Sequence, residues 1–251
     1  MSVALVTGAA RRIGREIALA LADDGYDLAL TIRAHGADQD GEKLAREIEA
    51  RGVKVKIFAL DLADAALVEK VVPDARAALG PIDVLVNNAS VFEADGATDM
   101  TYASWGTHMD VNLRAPAFLA RAFQAQVPKS GGNIINIIDQ RVWRPNPLFF
   151  SYTISKMALW DMTRVMAQAF APSIRVNAIG PGPTLASTHQ TPEDFDHEAA
   201  STLLQRATSP QEICAAIRFI LASPAMTGQM IALDGGQHLA WQTPDVMGKP
   251  T

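Results

Sequence analysis

Short apolar runs alternate along the chain with segments of helical spacing. The runs are Val3–Val6, Leu28–Ile32, Val53–Leu60, Val84–Val86, Ile134–Ile138, Arg175–Ile179 and Met230–Leu233. Most are continuous rather than alternating, as strands buried on both faces of a parallel sheet require. Between the first two, Ile13, Ile17 and Leu21 fall at i, i+4 and i+8, so a helix would turn one apolar stripe inward, and Gly25 supplies its stop. Further helices are predicted over Asp40–Arg51, Ala65–Leu79, Tyr102–Val127, Thr153–Phe170 and Pro210–Leu221. The alternation predicts the α/β class: a Rossmann-like, doubly wound parallel sheet of about seven strands with right-handed crossovers and helices on both faces. No repeat, low-complexity tract or linker divides the sequence, so residues 1–251 read as a single domain. Two stretches read as irregular, Arg141–Pro147 and Gly180–Glu198, the second carrying Pro181, Pro183 and Pro192. Loops of this kind lie at the carboxyl ends of the strands, where such sheets bind ligands, and the second is a candidate substrate lid.

Composition narrows the function classes. A chain of 251 residues, 49% apolar and 20% charged, can bury a sizeable core without covalent staples. The single cysteine, Cys214, excludes an intramolecular disulfide and a cysteine metal cluster, and fits a reducing compartment. His189 and His197 in the candidate lid match no metal-ligand spacing, so no metal is expected. A net charge of −5 offers no general basic field to nucleic acid or anionic lipid. The opening Met1-Ser2-Val3-Ala4-Leu5-Val6 is too short for a signal segment, and no apolar run approaches the roughly eighteen residues of a membrane span. The expectation is a cytoplasmic protein whose partner is a small molecule.

Thr7-Gly8-Ala9-Ala10-Arg11-Arg12-Ile13-Gly14 joins the first strand to the first helix. Gly8 can take a tight turn and Gly14 lets the helix approach the sheet. The helix start then offers free N–H groups and a positive dipole end to a pyrophosphate. The plainer alternative is an ordinary connection with two incidental glycines. The second strand ends Thr31-Ile32-Arg33-Ala34, where a site preferring NAD would carry an acid. Arg33 suits a 2′-phosphate instead, with Arg11 or Arg12 across from it. NADPH/NADP is therefore preferred, while Asp38 and Asp40 keep NADH open.

Further motifs follow in order: Asp61-Leu62, Asn87-Asn88-Ala89-Ser90, Asn112, Tyr152-Thr-Ile-Ser-Lys156, Pro181-Gly182 and Asp234-Gly235-Gly236. Together with the turn at Thr7–Gly14, this series resembles the short-chain dehydrogenase/reductase family over nearly the whole chain. On a helix, Tyr152 and Lys156 at i and i+4 share a face. An ammonium there would lower the tyrosine pKa, and the tyrosine could supply a proton to the group receiving hydride. The resemblance implies that Lys156 also holds the nicotinamide ribose and that Asn112 supports a water-linked proton path. It further implies that Asp61, Leu62, Asn88, Ala89, Ser90, Pro181 and Gly182 join Gly8, Ile13 and Gly14 around the cofactor. It also implies that the helices over Tyr102–Val127 and Ser151–Phe170 pack against other subunits, giving a homotetramer, with a dimer as the alternative.

Two departures refine the reading. The family places a serine thirteen residues before the tyrosine, where its hydroxyl donates to a ketone oxygen; here the residue is Asp139. An ionised carboxylate would repel a developing alkoxide by about 4 kcal/mol at 4 Å and an effective dielectric of 20. A ketone reductase is handicapped by this unless Asp139 keeps a proton, whereas N–H donors of a nitrogen heterocycle welcome a carboxylate. Arg12, in turn, stands where the family turn has its middle glycine. Both changes, with Asn-Asn-Ala-Ser at Asn87–Ser90, resemble the pteridine and dihydromonapterin reductases, as does the closing Gly235-Gly236-Gln237-His238-Leu239. Phe92 resembles the aromatic that stacks a pterin against nicotinamide.

The resulting expectation is NADPH-dependent reduction of a pterin by hydride transfer to a C=N carbon. Tyr152 would be the proton donor, Asp139 would bind or relay protons to ring nitrogens, Phe92 would stack, and Arg12 would touch phosphate and substrate. The alternatives are a carbonyl or 3-oxoacyl reductase using the same Tyr152 and Lys156, and a non-catalytic NADP-binding scaffold or sensor. Phe92 could also be a core aromatic, and Arg12 could serve only the phosphate. Leu185, Thr188 and His189 of the lid would set the choice of substrate, and Trp143 with Pro145-Asn146-Pro147 would border the mouth.

Overall fold

The computed structural model describes residues 2–33 and 38–243. Seven strands form one parallel sheet: β1 (Val3–Thr7), β2 (Asp27–Ile32), β3 (Val55–Ala59), β4 (Val84–Asn87), β5 (Gly132–Ile137), β6 (Ile174–Pro181) and β7 (Met230–Leu233). Their spatial order is β3-β2-β1-β4-β5-β6-β7, so the order reverses between β1 and β4 and a crevice opens at the carboxyl ends there. The seven-stranded, doubly wound arrangement expected from the continuous apolar runs is the one observed. Every residue of β1, β2 and β4 is buried, because these strands carry helices on both faces.

One core lies between the sheet and α1 (Arg12–Asp23), α2 (Asp38–Glu49) and α8 (Pro210–Leu221), centred on Val6, Ile17, Leu30, Ile48 and Ile217. The other lies beneath α3 (Ala65–Leu79), α5 (Ala115–Gln126) and α6 (Phe150–Phe170), with Leu5, Val71, Leu85, Phe123 and Val176 at its centre. No helix among the described residues is long and apolar enough to cross a membrane.

Two expectations need correction. The predicted helix over Tyr102–Val127 is α4 (Tyr102–Met109), a π-helical turn over Asp110–Arg114, and then α5. Asn112 lies at the middle of that turn, and single π turns inside α-helices are frequent at functional sites. The stretch Gly180–Glu198 is not irregular throughout. β6 runs on through Gly180 and Pro181, and α7 (Pro192–Ala200) begins at a capping box in which Thr191 and Asp194 exchange hydrogen bonds. Pro192 sits in the first turn of that helix, where its missing N–H costs nothing.

Candidate functional site

Between β1 and α1 the chain makes a cradle out of backbone. Gly8 has φ of +65°, and a Cβ on it would lie 2.9 Å from the Cα of Ala89. A side chain on Gly14 would overlap the Gly8 carbonyl and the Asn88 amide. Asn88 Nδ2 donates to the carbonyls of Thr7 (2.9 Å) and Gly8 (3.2 Å), while Thr7 Oγ1 accepts from the N–H groups of Asn88 and Ala89, both at 3.0 Å. Gly8, Gly14, Asn88 and Ala89 are thereby one closed clasp. Helix α1 has no side-chain cap and no acid in its first turn, so its leading N–H groups stay available to an anion.

Around this cradle, Arg11 is exposed and Arg33 reaches Asp61 only at 3.5 Å, with three-quarters of its side chain in solvent. Asp61 also accepts from the Ala63 N–H at 3.0 Å. Leu62 is buried in the second core, and Ile13 packs on the first. Pro181 and Gly182 close the end of β6, where the Gly182 N–H donates to Leu233 O at 2.9 Å. A cradle free of side chains, an uncapped helix start and two exposed guanidiniums fit a phosphorylated dinucleotide. Asp40 is exposed, and the side chain of Asp38 lies outside the described residues.

The catalytic candidates sit on α6 and beside it. A polar chain fixes that helix on the sheet: Asn87 Nδ2 donates to Asn136 Oδ1, and Asn136 Nδ2 donates to Thr163 Oγ1, each at 2.8 Å. Its start has no cap of its own, and Asp95 supplies one from a distant loop by accepting from the N–H groups of Phe150 (3.0 Å, backbone O) and Ser151 (2.9 Å, Oδ1). Tyr152 and Lys156 are both buried. The Tyr152 hydroxyl donates to Asp139 Oδ2 at 2.8 Å, and Asp139 Oδ1 accepts from the Arg141 N–H, also at 2.8 Å.

Burial shifts all three groups toward their neutral forms. It pushes the Asp139 carboxyl up, against the opposing pull of Arg141, Tyr152 and Lys156. It lowers the Lys156 ammonium to about 8, with Asp139 opposing. Tyr152 is raised well above its usual value by burial and then by the Asp139 charge and hydrogen bond. This is opposite in sign to the lowering expected from a lysine neighbour. The physical reason is burial first and then contact with Asp139, whereas Lys156 Nζ donates to Ile137 O at 2.9 Å and stands 5.8 Å from the Tyr152 ring centroid.

Asn112 is fully used by the protein. Its Oδ1 accepts from the Val91 N–H (2.8 Å) and Ser90 Oγ (3.2 Å), and its Nδ2 donates to Val91 O (2.9 Å) and Ser155 Oγ (3.0 Å). An asparagine amide has two donors and two acceptor positions, so this side chain has none left for a water. Here it positions the segment carrying Phe92. One turn earlier on the same helix, buried His108 accepts from the Glu93 N–H at 3.3 Å through Nε2 and donates to Ser104 O at 2.8 Å through Nδ1. Phe92 is therefore gripped on both sides, at Val91 and at Glu93.

The Phe92 ring is not in the core. It stacks on Phe149 with centroids 4.1 Å apart and planes 13° from parallel, and it meets Tyr152 edge-on at 4.7 Å. Phe149 holds this pose with φ of +54°, a left-handed conformation that a side chain disfavours. The lid approaches from the other side, where His189 Nε2 lies 3.0 Å from Phe92 O and 3.2 Å from Glu93 Oε2. Sequence reasoning missed Phe149, Arg141 and His108. His108 alone left a signal, at i−4 from Asn112 on one helix face; the other two become part of the site only once the loop before α6 folds back.

Arg12 carries φ of +57°, the conformation of the glycine it replaces. Its guanidinium donates to the lid carbonyls of Ala186 (2.6 Å) and Leu185 (3.0 Å), and burial followed by Arg11 lowers its pKa. The structure thus directs Arg12 to the lid backbone. Trp143 borders the mouth loop against His238 (5.1 Å) and Trp160 (6.5 Å), and Arg144 donates to Gln237 O at 3.2 Å. Among the described residues no group of three or more histidines, cysteines or acids could hold a metal ion.

A family model described as enoyl-(acyl carrier protein) reductase matches residues 8–238. The chain is 31% identical over 244 residues to the short-chain dehydrogenase/reductase eriH of Hericium erinaceus, covering 94% of this chain and 97% of that one. It is also 31% identical over 242 residues to the 3-oxoacyl-acyl-carrier-protein reductase FabG of Staphylococcus aureus (strain Mu50), covering 94% and 98%. The solved structure of FolM alternative dihydrofolate reductase 1 from Brucella canis, complexed with NADP, is similar at a TM-score of 0.94 and 46% identity. That likeness covers 98% of this chain and 97% of FolM.

Proposed function

Because the chain belongs to the short-chain dehydrogenase/reductase family, we propose that it is the NADPH-dependent oxidoreductase of a pterin, reducing a C=N bond of the ring. The observation that carries the reading is the buried hydrogen bond from Tyr152 to Asp139, 2.8 Å long, at the place where ketone reductases of the family present a serine hydroxyl. Likeness to FolM at 46% identity supports the same branch.

NADPH, when bound, supplies the hydride. The pyrophosphate would be held at Gly8 and the start of α1 around Ile13 and Gly14, and the 2′-phosphate by Arg33 with Arg11. Asp61, Leu62, Asn88, Ala89 and Ser90 would line the adenine and ribose sides, with Pro181 and Gly182 beside the nicotinamide and Lys156 on its ribose. Reduction of C=N needs one proton at nitrogen. Tyr152 holds that proton at its phenolic oxygen, and the raised pKa of Asp139 lets the pair retain a proton that an exposed carboxylate would have lost. Asp139 therefore meets ring nitrogens either as an acceptor for N–H or as a donor to a bare nitrogen. Phe92 presents a ring to a planar substrate, and the face that Phe149 covers is not the one available. We also propose a homotetramer, supported by the exposed apolar side chains Phe118, Val165 and Phe219, and checked by light scattering.

The test is NADPH consumption against a panel of dihydrobiopterin, dihydromonapterin, dihydrofolate, simple ketones and a 3-oxoacyl thioester. We expect pterin turnover, falling about a hundredfold in Asp139→Ser while ketone turnover rises. Ketone turnover without pterin turnover would overturn the proposal, and so would faster pterin reduction by Asp139→Ser.

A further inference from the structure

Arg141 is a cation of the substrate mouth whose side chain the proposed chemistry leaves without work. Its backbone N–H holds Asp139, but among the described residues its side chain hydrogen-bonds only Leu148 O, at 3.3 Å. The guanidinium carbon lies 5.5 Å from the Phe92 centroid and 5.3 Å from that of Phe149. A point almost equidistant from two near-parallel rings 4.1 Å apart lies beside the stack, not over either face. There the ring edges present their positive rim, so the aromatic pair does not neutralise the cation.

Among the described residues no carboxylate makes a contact ion pair with it either, and Asp139, whose carboxyl its charge pulls down, spends its oxygens on the Arg141 N–H and the Tyr152 hydroxyl. Arg46, Arg114, Arg121 and Arg164 on the outer helices each reach an acid, whereas Arg141 and its neighbour Arg144 form no such pair. The acids of the mouth are already engaged, Glu93 with His189 and Asp139 with Tyr152. Among the described residues, a chain of net charge −5 thus keeps at the edge of one aromatic stack a guanidinium with no contact ion pair. A half-buried guanidinium beside a flat apolar wall matches a planar ring that carries a carboxylate on its tail.

We propose that Arg141 is the receptor for a substrate carboxylate and makes the enzyme prefer a pterin with an acidic tail over one with a neutral tail. The inference rests on the pterin reading above. The experiment compares dihydrofolate, whose tail ends in glutamate, with dihydrobiopterin, whose tail is an uncharged diol. Removing the guanidinium also shifts Asp139, which affects both substrates, so the quantity read is the ratio of their KM values.

In Arg141→Gln the KM for dihydrofolate should rise about tenfold relative to that for dihydrobiopterin, the size of one lost charge-assisted hydrogen bond. Arg141→Lys should recover part of the ratio, and added salt should raise the dihydrofolate KM more in the parent than in Arg141→Gln. Turnover of both pterins with a ratio unchanged within about twofold would overturn the assignment of Arg141 alone. Turnover of neither by the parent would overturn the pterin reading and this inference with it.

Discussion

Around the phosphate turn, the groups offered to a ligand are backbone N–H groups and the space left by missing side chains at Gly8 and Gly14. Around Tyr152 they are side chains, brought in from the segments carrying Phe92, Asp139, Arg141, Phe149 and His189. The first region is inseparable from the fold, since the Thr7 and Asn88 bonds that shape the turn also tie β1 to β4. The second can change its occupants without moving a strand. A scaffold of this kind keeps one cofactor while its substrate varies, and the two regions should respond to substitution in different ways.

The largest effect is expected at Tyr152, the proposed proton donor. Tyr152→Phe keeps the ring against Phe92 but removes the hydroxyl from Asp139, and kcat should fall by about a thousandfold with NADPH affinity nearly intact. Stopped-flow kinetics and cofactor titration separate the two quantities; an equal loss of NADPH affinity would assign Tyr152 to the cofactor half. Gly14→Ala strikes the other region. Its Cβ meets the Gly8 carbonyl and the Asn88 amide, so the dissociation constant for NADPH should rise at least about tenfold, alike with every substrate, alongside a loss of about 1–3 kcal/mol in stability. Calorimetric titration and denaturant melts read both, and an unchanged cofactor affinity would show that the turn tolerates movement.

A third effect concerns pH. The folded-state pKa of Lys156, about 8, lies below the ordinary lysine value of 10.5, so the unfolded chain binds more protons at this residue between those values. Stability contributed by Lys156 therefore rises with pH through that window, and its burial cost, about 3 kcal/mol, is fully present below pH 8. Lys156→Met removes the titration. Urea melts from pH 7 to about 10.5 should show the parent gaining on the variant as pH rises. A constant difference would mean that Lys156 is not desolvated.

Most of the fold was legible because a parallel sheet covered on both faces leaves continuous apolar runs such as Val84–Val86 and Ile134–Ile138, with little alternation to confuse them. The edge strand β3 was overextended by Val53 and Leu60, which are buried but lie outside the ladder. Helix α7 was missed because three prolines dominate Gly180–Glu198, although Thr191-Pro192-Glu193-Asp194 is a helix start in its own right. The π turn at Asn112 has no sign in the hydrophobic spacing, which runs on through it.

At the site, the cofactor half was readable because glycine spacing records backbone shape directly. The mouth was half readable. Asp139, Tyr152 and Phe92 stood out against a family pattern, but Arg141 and Phe149 meet only through tertiary folding of an irregular loop. Arg12 was read as a contact to phosphate and substrate from its place in the turn, and nothing in the sequence announces its partners Leu185 and Ala186, more than 170 residues away.

Position 149 sets two demands against each other. The backbone there asks for glycine, which would relieve strain on the order of 1 kcal/mol, while the neighbouring ring of Phe92 asks for an aromatic. The chain carries the aromatic. Replacing it with glycine would take from the aromatic wall one of its two panels. Thermal robustness and recognition therefore pull in opposite directions at this one residue, and any stabilised form of the protein should leave it untouched.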